Sequence, residues 1–106
     1  MNVVEKTQLE SKIVEALETC YDPEIPFNIY DLGLVYAIDV GDAGDVQIKM
    51  TLTTPNCPVA TSLPGEVQTK VKAIEAVKSA NVDVVWDPPW DSSKISESAK
   101  LQLGMI

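Results

Sequence analysis

The sequence predicts an α+β fold, a two-layer α/β sandwich in which helices cover one face of a small mixed three-stranded sheet. Three observations predict it: stretches in which apolar residues recur at helical spacing, stretches in which apolar and polar residues alternate, and turn residues between them. The predicted order is α-β-β-α-β-α. The length of 106 residues is near the commonest domain size, so we expect a single domain over residues 1–106.

The first helix is predicted from about Gln8 to Cys20. Thr7 and Glu10 fit a capping box, in which a threonine oxygen and a glutamate three residues later satisfy free amides of the first turn. Apolar residues then recur at helical spacing, at Leu9, Ile13, Ala16, Leu17 and Cys20. This stripe predicts that Cys20 lies in the core.

Tyr21–Leu32 are expected to form an irregular connector. Gly33 is expected to adopt a backbone conformation that other residues disfavour and to open the first strand. The first strand alternates from Leu34 to Val40 and the second from Val46 to Thr53, with turn residues at 41–44. We expect these strands to form an antiparallel hairpin. The connector and the segment after the second strand then lie at the same end of the sheet.

The second helix is predicted from Leu63 to about Ser79, because apolar residues keep helical spacing over this range. Pro64 cannot donate a backbone hydrogen bond. It lies in the first turn of this helix, or it separates a short turn at 59–62 from the main helix. The sequence leaves both alternatives open.

The third strand is predicted from Val82 to Trp86, which places Trp86 in the core by alternation. A helical crossover makes this strand parallel to the second strand. It either pairs with the second strand or lies antiparallel beside the first, and the sequence does not distinguish these. Ser92 or Ser93 is expected to cap a last helix at about Ile95–Leu103.

The charge distribution argues against nucleic acid as a partner, and the lack of long apolar runs argues against a membrane. The net charge is −8, and ten of the sixteen acidic residues lie between Glu5 and Asp45, against Lys6 and Lys12 alone. Such a surface repels phosphate backbones, so we expect no nucleic acid partner. No apolar run approaches the roughly 20 residues of a membrane span, and the first residues lack a secretory pattern. We therefore expect a cytoplasmic protein with no membrane partner.

The sequence contains no histidine, which limits the kinds of catalysis and metal binding that are available to it. This absence excludes Ser-His-Asp and Cys-His catalysis and histidine-based zinc sites. Two cysteines are too few for a disulfide scaffold, and they form no C-x-x-C pair. Without a histidine base or a resolving cysteine, we expect a protein that is not an enzyme, and no residue is assigned a catalytic role.

Cys57 is the first candidate for chemistry. It follows the second strand between two prolines, which stiffen the loop. A thiolate is the reactive and metal-binding form, and a helix N-terminus lowers its pKa. Thr53, Thr54 and Asn56 are neighbouring candidates for hydrogen bonding. Taken alone, these residues fit both a functional thiol and a buried, inert one.

The connector holds the next candidates, the carboxylates of Asp22, Glu24 and Asp31. Three carboxylates in a segment braced by prolines suit cation binding or proton acceptance. Turn chemistry, in which aspartate bonds its own backbone, is the commoner reason for such residues. Trp90 is a candidate anchor for a partner protein, because exposed aromatic residues often serve as such anchors. Alternatively, Trp90 packs over the end of the sheet.

Three segments together resemble one protein family. They are Asp22–Tyr36 (DPEIPFNIYDLGLVY), Met50–Pro58 (MTLTTPNCP), and Val84–Trp90 (VVWDPPW) followed by Ile95–Gly104 (ISESAKLQLG). Their order and spacing are similar to the SufT/PaaD-like family of iron–sulfur cluster assembly proteins, whose eukaryotic relatives serve the cytosolic assembly pathway. The resemblance covers nearly the whole chain.

The resemblance implies a fold shared with the C-terminal domain of NifU-type scaffolds, and a role in maturing iron–sulfur proteins beside the SUF machinery. Carried over by position, it implies site residues at Asp22, Glu24, Thr53, Thr54 and Cys57, with Asp31 in the same motif. The C-x-x-C of NifU-type domains is missing here. Its absence favours an accessory role over autonomous cluster scaffolding.

On this resemblance, Cys57 is expected to hold iron, a cluster or a client cysteine transiently, with none bound at rest. The expected partners are SUF-type assembly proteins and apo iron–sulfur clients. A homodimer that pairs two Cys57 thiols is compatible with the sequence. The alternative function is a metal-free docking module that uses the acidic surface and Trp90 to link assembly proteins to clients.

Overall fold

The computed structural model describes residues 2–22, 25, 27–53 and 62–104. Its elements are α1 Val3–Leu17, β1 Val35–Val40, β2 Asp45–Met50, α2 Leu63–Lys72, β3 Ser79–Val84, a 3-10 turn Ser92–Lys94 and α3 Glu97–Gln102. The predicted order of helices and strands is confirmed.

The sheet has β2 at its centre, in the order β1-β2-β3. Val46 of β2 lies opposite Val40 of the antiparallel β1 and opposite Ala80 of the parallel β3. The third strand therefore pairs with the second strand and not with the first, which decides between the two alternatives. The central position also explains why alternate residues of β2 are the best buried of the sheet, namely Val46, Ile48 and Met50.

The two faces of the sheet differ in chemistry. On one face, the Gln47 side chain accepts a hydrogen bond from Asn81 at 2.8 Å and donates one to Asp83 at 2.9 Å. On the other face, the buried residues of β2 share one core with those of α1 and α2. Helix α2 packs on β3, and α1 packs on α2 and β1. The predicted arrangement, with helices on one face of the sheet, is confirmed.

Helix α1 begins earlier than predicted, at Val3, and the predicted capping box is wrong. Asn2 is the N-cap, and its side-chain oxygen accepts a hydrogen bond from the amide of Glu5 at 2.8 Å. Thr7 lies inside the helix, where its hydroxyl donates to the carbonyl of Val3 at 2.9 Å. Cys20 lies beyond the end of the helix but is buried in the core, as expected.

Helix α2 is shorter than predicted. It ends at Lys72, and Ser79, the predicted end of the helix, instead begins β3. The apolar spacing continues through Ile74 and Val77, but these residues lie in a turn in which the amide of Val77 donates to the carbonyl of Ile74 at 3.0 Å. Pro64 lies in the first turn of α2, where its missing N–H costs no helical hydrogen bond.

The cap of the last helix differs from the prediction. Ser92 and Ser93 belong to a separate 3-10 turn, which Asp91 precedes as N-cap. The N-cap of α3 is Ser96, whose hydroxyl oxygen accepts a hydrogen bond from the amide of Ala99 at 3.2 Å. The prediction was wrong because several neighbouring serines fit the cap pattern equally well.

A bulge interrupts β1. The register shifts between Val35 and Ala37, so Tyr36 is an extra residue in the strand. The bulge breaks the predicted alternation, in which Tyr36 shares a face with Leu34. The hydroxyl of Tyr36 instead donates to the carbonyl of Pro88 at 2.8 Å. The start of β1 is thereby joined to the segment that follows β3.

Candidate functional site

Three segments of the chain meet at one end of the sheet. Because β1 is antiparallel and β3 is parallel to β2, the start of β1 and the ends of β2 and β3 lie together. The amide of Thr51 donates to the carbonyl of Leu34, and the amide of Val85 donates to the carbonyl of Met50, both at 2.8 Å. The connector and the segment after β2 share this end, as predicted.

Local hydrogen bonds shape the connector. Tyr21 and Asn28 form an isolated antiparallel bridge, and the amide of Asp22 donates to the carbonyl of Phe27 at 3.1 Å. Asp22 is only 3% exposed, and its Oδ1 accepts a hydrogen bond from the amide of Ile25 at 3.0 Å. One oxygen of this carboxylate therefore stabilises the turn of the connector itself.

Asp31 joins the connector to the C-terminal segment, residues 86–96. Its Oδ2 accepts a hydrogen bond from the side-chain amide of Asn28 at 3.0 Å, and its backbone amide donates to Asn28 Oδ1 at 2.8 Å. Its carbonyl accepts a hydrogen bond from the amide of Ser96 at 2.8 Å. Turn chemistry, the alternative weighed for these acids, accounts for these hydrogen bonds of Asp22 and Asp31.

Residues 86–96, the C-terminal segment, close over the connector. The indole N–H of Trp90 donates to the carbonyl of Leu32 at 2.7 Å. Gly33 has φ 75°, and a Cβ there would lie 2.3 Å from the carbonyl oxygen of Lys94. The ammonium nitrogen of Lys94 lies 5.2 Å from the centroid of the Tyr36 ring. Gly33 is thus required both by its conformation and by the close approach of the C-terminal segment.

The two tryptophans lie in different environments, and only Trp86 departs from its predicted one. Trp86 was predicted to lie in the core but is 46% exposed, because β3 ends at Val84 and its alternation does not reach Trp86. Trp90 is half-buried against the core, and its indole N–H is hydrogen-bonded. Packing over the sheet end, the alternative weighed for Trp90, describes its position. Its partner-binding role stays a prediction.

A groove of about 200 Å³ lies between the end of β2 and the C-terminal segment. Its lining residues are Thr51, Leu52, Thr53, Trp86, Pro89 and Trp90. Thr51 is 1% exposed, and its Oγ1 has no hydrogen-bond partner among the described residues. Thr51 is not among the predicted site residues, because strand alternation places it on the outward face with Lys49. The two tryptophans flanking Asp87-Pro88-Pro89 were the available signal for the groove.

Thr53 follows the end of β2 and lines the groove, whereas four predicted residues lie outside the described residues: Glu24, Thr54, Asn56 and Cys57. Within residues 2–22, 25, 27–53 and 62–104, no three histidine, cysteine or acidic side chains are grouped to hold a metal ion. No helix in those ranges is long and apolar enough to cross a bilayer.

Cys20 is a buried thiol. Its Sγ donates a weak hydrogen bond to the carbonyl of Ala16 at 3.7 Å. Burial raises the pKa of the Cys20 thiol above its ordinary value, against the opposing effect of the Lys70 charge. Lys70 itself donates to the carbonyl of Thr19 at 2.8 Å. Cys20 is therefore a protonated core residue at neutral pH, as the sequence predicted.

Comparisons with known proteins agree with this fold. The model of a family described as iron-sulfur cluster assembly protein matches residues 10–84. A Fe-S protein maturation auxiliary factor of Porphyromonas gingivalis is 48% identical over 99 residues, which cover 93% of this chain and 94% of that protein. The Fe-S protein maturation auxiliary factor YitW of Bacillus subtilis is 41% identical over 97 residues, which cover 92% of this chain and 95% of that protein.

A solved structure is similar over the full length. The crystal structure of a domain of unknown function from Bacillus anthracis is 33% identical and superposes with a TM-score of 0.89, covering 99% of this chain and 100% of that one. The family match spans most of the chain, and the two relatives cover nearly all of it. The chain therefore belongs to the iron–sulfur cluster assembly protein family.

Proposed function

We propose that this chain is an accessory factor in iron–sulfur cluster assembly and in the maturation of iron–sulfur proteins. The family match over residues 10–84 carries this proposal, supported by two near full-length relatives that are named Fe-S protein maturation auxiliary factors. The proposed partners are SUF-type assembly proteins and apo iron–sulfur proteins of the cytoplasm. We assign no catalytic residue, because the chain has no histidine base and no C-x-x-C pair.

Cys57 is the residue that we propose contacts the cargo, which is iron, a cluster or the thiol of a client. Strand β2 directs the chain through Thr53 towards the end of the sheet where the connector lies, and Cys57 follows a few residues later. Thiolates are the usual ligands of iron–sulfur clusters. A cluster needs more ligands than one thiolate, so Cys57 would hold it transiently, with the other ligands from a partner, a second copy or a small thiol.

The connector supports this site in our proposal. Asp22 and Asp31 use their hydrogen bonds to fix the connector, so we assign them a positioning role. Glu24, Thr54 and Asn56 are the proposed direct contacts around the thiol. In the sequence, Glu24 is two residues from Asp22, and Thr54 directly follows Thr53.

Anaerobic reconstitution with ferrous iron and sulfide tests the role of Cys57. Cys57→Ala is compared with the wild type and with Cys20→Ala, a matched variant that removes the buried thiol. Circular dichroism first establishes that each variant is folded. We expect the wild type and Cys20→Ala to take up more iron and acid-labile sulfide than Cys57→Ala. Equal uptake by the Cys57→Ala variant would contradict cargo binding at this residue.

A metal-free docking module is the second candidate function. The groove beside Trp86 and Trp90 favours it, because an apolar groove with exposed tryptophan suits partner binding. Affinity capture from the native host tests it with Cys57→Ser. If this variant retains every partner and restores full activity, docking alone accounts for the function. Loss of activity with all partners retained supports cargo contact at Cys57 instead.

A further inference from the structure

The outer edge of β3 is an unpaired strand edge. The sheet order is β1-β2-β3, and no described strand lies along the side of β3 that faces away from β2. The amide of Val85 donates to the carbonyl of Met50 in β2. Backbone groups of successive residues point to opposite sides of a strand, so those of Ala80, Val82 and Val84 point to the outer edge. Among the described residues, their amides have no backbone partner beyond the sheet itself.

The two edge strands of the sheet differ in how they are protected. β1 carries a bulge at Tyr36, and a bulge is one of the devices that keep an edge strand from pairing with another chain. β3 pairs with β2 without a register shift over its whole length, Ser79–Val84. Its sequence holds no proline or lysine, and its inward-facing residues are all apolar. A regular edge without these devices favours pairing with a further strand.

The sequence of β3 is complementary to itself in one antiparallel register. When Val82 lies opposite Val82 of a second copy, Ala80 lies opposite Val84 of that copy. All three residues then exchange their backbone hydrogen bonds across the edge. Val82 and Val84 are half-buried against the core, and Ala80 is 7% exposed, so the inner side of this pairing is apolar.

The outward side chains also match in this register. Asn81 lies opposite Asp83 of the second copy, in the closely spaced type of antiparallel pair. Gln47 holds both side chains on the outward face, since it accepts from Asn81 at 2.8 Å and donates to Asp83 Oδ2 at 2.9 Å. The second amide hydrogen of Asn81 and the Oδ1 of Asp83 remain for a bond between the copies.

Neighbouring registers fit less well. A shift by one pair in one direction places Asp83 opposite Asp83 of the second copy, and like charges that lie directly opposite each other are destabilising. A shift in the other direction places Val84 opposite Lys78, whose amide already donates to the carbonyl of Gly44 at 2.8 Å. The register centred on Val82 is therefore the one that uses the whole edge without a charge conflict.

We propose that β3 pairs antiparallel with β3 of a second copy of this chain, so that two sheets join into one across a two-fold axis. An interface of this symmetry has to be complementary to itself, and the register centred on Val82 meets that condition. The proposal goes beyond the accessory function and does not rest on it. It differs from a dimer that pairs two Cys57 thiols, because β3 contains no cysteine.

Sedimentation equilibrium of the full-length protein, with a reductant present, tests the proposal. We expect a monomer–dimer equilibrium that Cys57→Ala leaves unchanged. Val82→Pro removes the central N–H of the edge, a position at which an edge strand tolerates proline, and should be monomeric. Val82→Ala keeps this N–H and should still dimerise. Hydrogen exchange at the amides of Val82 and Val84, followed by nuclear magnetic resonance, should slow as the protein concentration rises.

The charge of residue 81 gives a test in both directions. Asn81→Asp places a carboxylate opposite Asp83 and should weaken the dimer, whereas Asn81→Lys places an ammonium there and should strengthen it. Two symmetric pairs predict a change of about two- to thirty-fold in the dissociation constant for each variant. Gln8→Glu and Glu10→Gln change the net charge equally on the exposed face of α1 and should leave the dissociation constant unchanged.

Four results would overturn the proposal. They are a wild type that stays monomeric up to millimolar concentration, unchanged dimerisation of a folded Val82→Pro variant, a shift of the dissociation constant in the same direction for both Asn81 variants, and loss of the dimer in Cys57→Ala. Circular dichroism establishes folding, and if Val82→Pro does not fold, the Asn81 variants decide. Iron and sulfide uptake is measured separately, so a failure of either proposal leaves the other intact.

Discussion

The indole nitrogen of Trp90 donates a hydrogen bond to the carbonyl oxygen of Leu32 at 2.7 Å, across 58 residues of sequence. This bond joins the connector that precedes β1 to the segment that follows β3. The amide of Ser96, bonded to the carbonyl of Asp31, joins the same two segments. The conformation of the connector therefore depends on residues near the C-terminus, and substitutions there should reach the candidate site.

Trp90→Phe keeps an aromatic ring but removes the donor to Leu32. Leu32 is buried, so its carbonyl would lose a partner, and we expect a loss of about 1–2 kcal/mol in the free energy of unfolding. Urea denaturation followed by far-ultraviolet circular dichroism measures it. Trp86→Phe, at the exposed tryptophan, is the control and should change stability by less than about 0.5 kcal/mol. Similar losses of unfolding free energy in both variants would argue against a stabilising Trp90–Leu32 hydrogen bond.

Gly33→Ala and Gly65→Ala should change stability in opposite directions. At Gly33, alanine would adopt φ 75° with its Cβ 2.3 Å from the carbonyl oxygen of Lys94, so a loss of at least about 1–3 kcal/mol is expected. Gly65 lies in α2, and among the described residues no atom beyond its chain neighbours and its own helix backbone lies within 4 Å of an added Cβ. Alanine there should stabilise the helix by about 0.5–1 kcal/mol. A urea midpoint of Gly33→Ala at or above that of the wild type would contradict this account of Gly33.

Asn2→Ala should cost about 1 kcal/mol, because it removes the side-chain oxygen that caps α1 through the amide of Glu5. Thr7→Ala should be neutral or slightly stabilising, since Thr7 lies within the helix and alanine has the higher helix propensity. Thermal unfolding and helical circular dichroism distinguish the two variants. A larger loss of stability in Thr7→Ala than in Asn2→Ala would instead support the predicted capping box of Thr7 and Glu10.

Cys20 should resist alkylation in the native protein. Burial blocks access and raises the pKa of the thiol, so less thiolate is present near neutral pH than for a free cysteine. Iodoacetamide labelling at pH 7, read by peptide mass spectrometry, should leave Cys20 unmodified until urea unfolds the chain. Native labelling as fast as in urea would contradict its place in the core. The proposed function predicts that Cys57 is labelled under native conditions.

The core-facing pattern of the sheet was predictable from sequence, whereas the strand order was not. The alternation of Val46, Ile48 and Met50 identifies β2 and its buried face, because side chains along a strand alternate between faces. The crossover through α2 is compatible with more than one sheet order, and tertiary packing decides between them. The start of α1 was missed because Thr7 and Glu10 carry a cap pattern that also fits a helix interior.

The end of the sheet at which the connector meets the residues that directly follow β2 was predictable, but the groove was not. An antiparallel hairpin places the connector and the residues after β2 at one end of the sheet, whatever the side chains are. The groove depends on where β2 and β3 end, since that decides whether Thr51 is buried and whether Trp86 is exposed. Both strands end before the alternation of apolar and polar residues in the sequence does, at Met50 and Val84. The roles of Cys57 and Glu24 stay predictions.

The most direct test of the accessory role is enzyme activity in cells of the native host that lack this protein. We expect an iron–sulfur dehydratase to lose activity in these cells, and an enzyme without a cluster to keep it. Wild type and Cys20→Ala should restore the dehydratase, and Cys57→Ala should not. Full dehydratase activity in the deletion cells, or an equal loss in both enzymes, would contradict a role in iron–sulfur protein maturation.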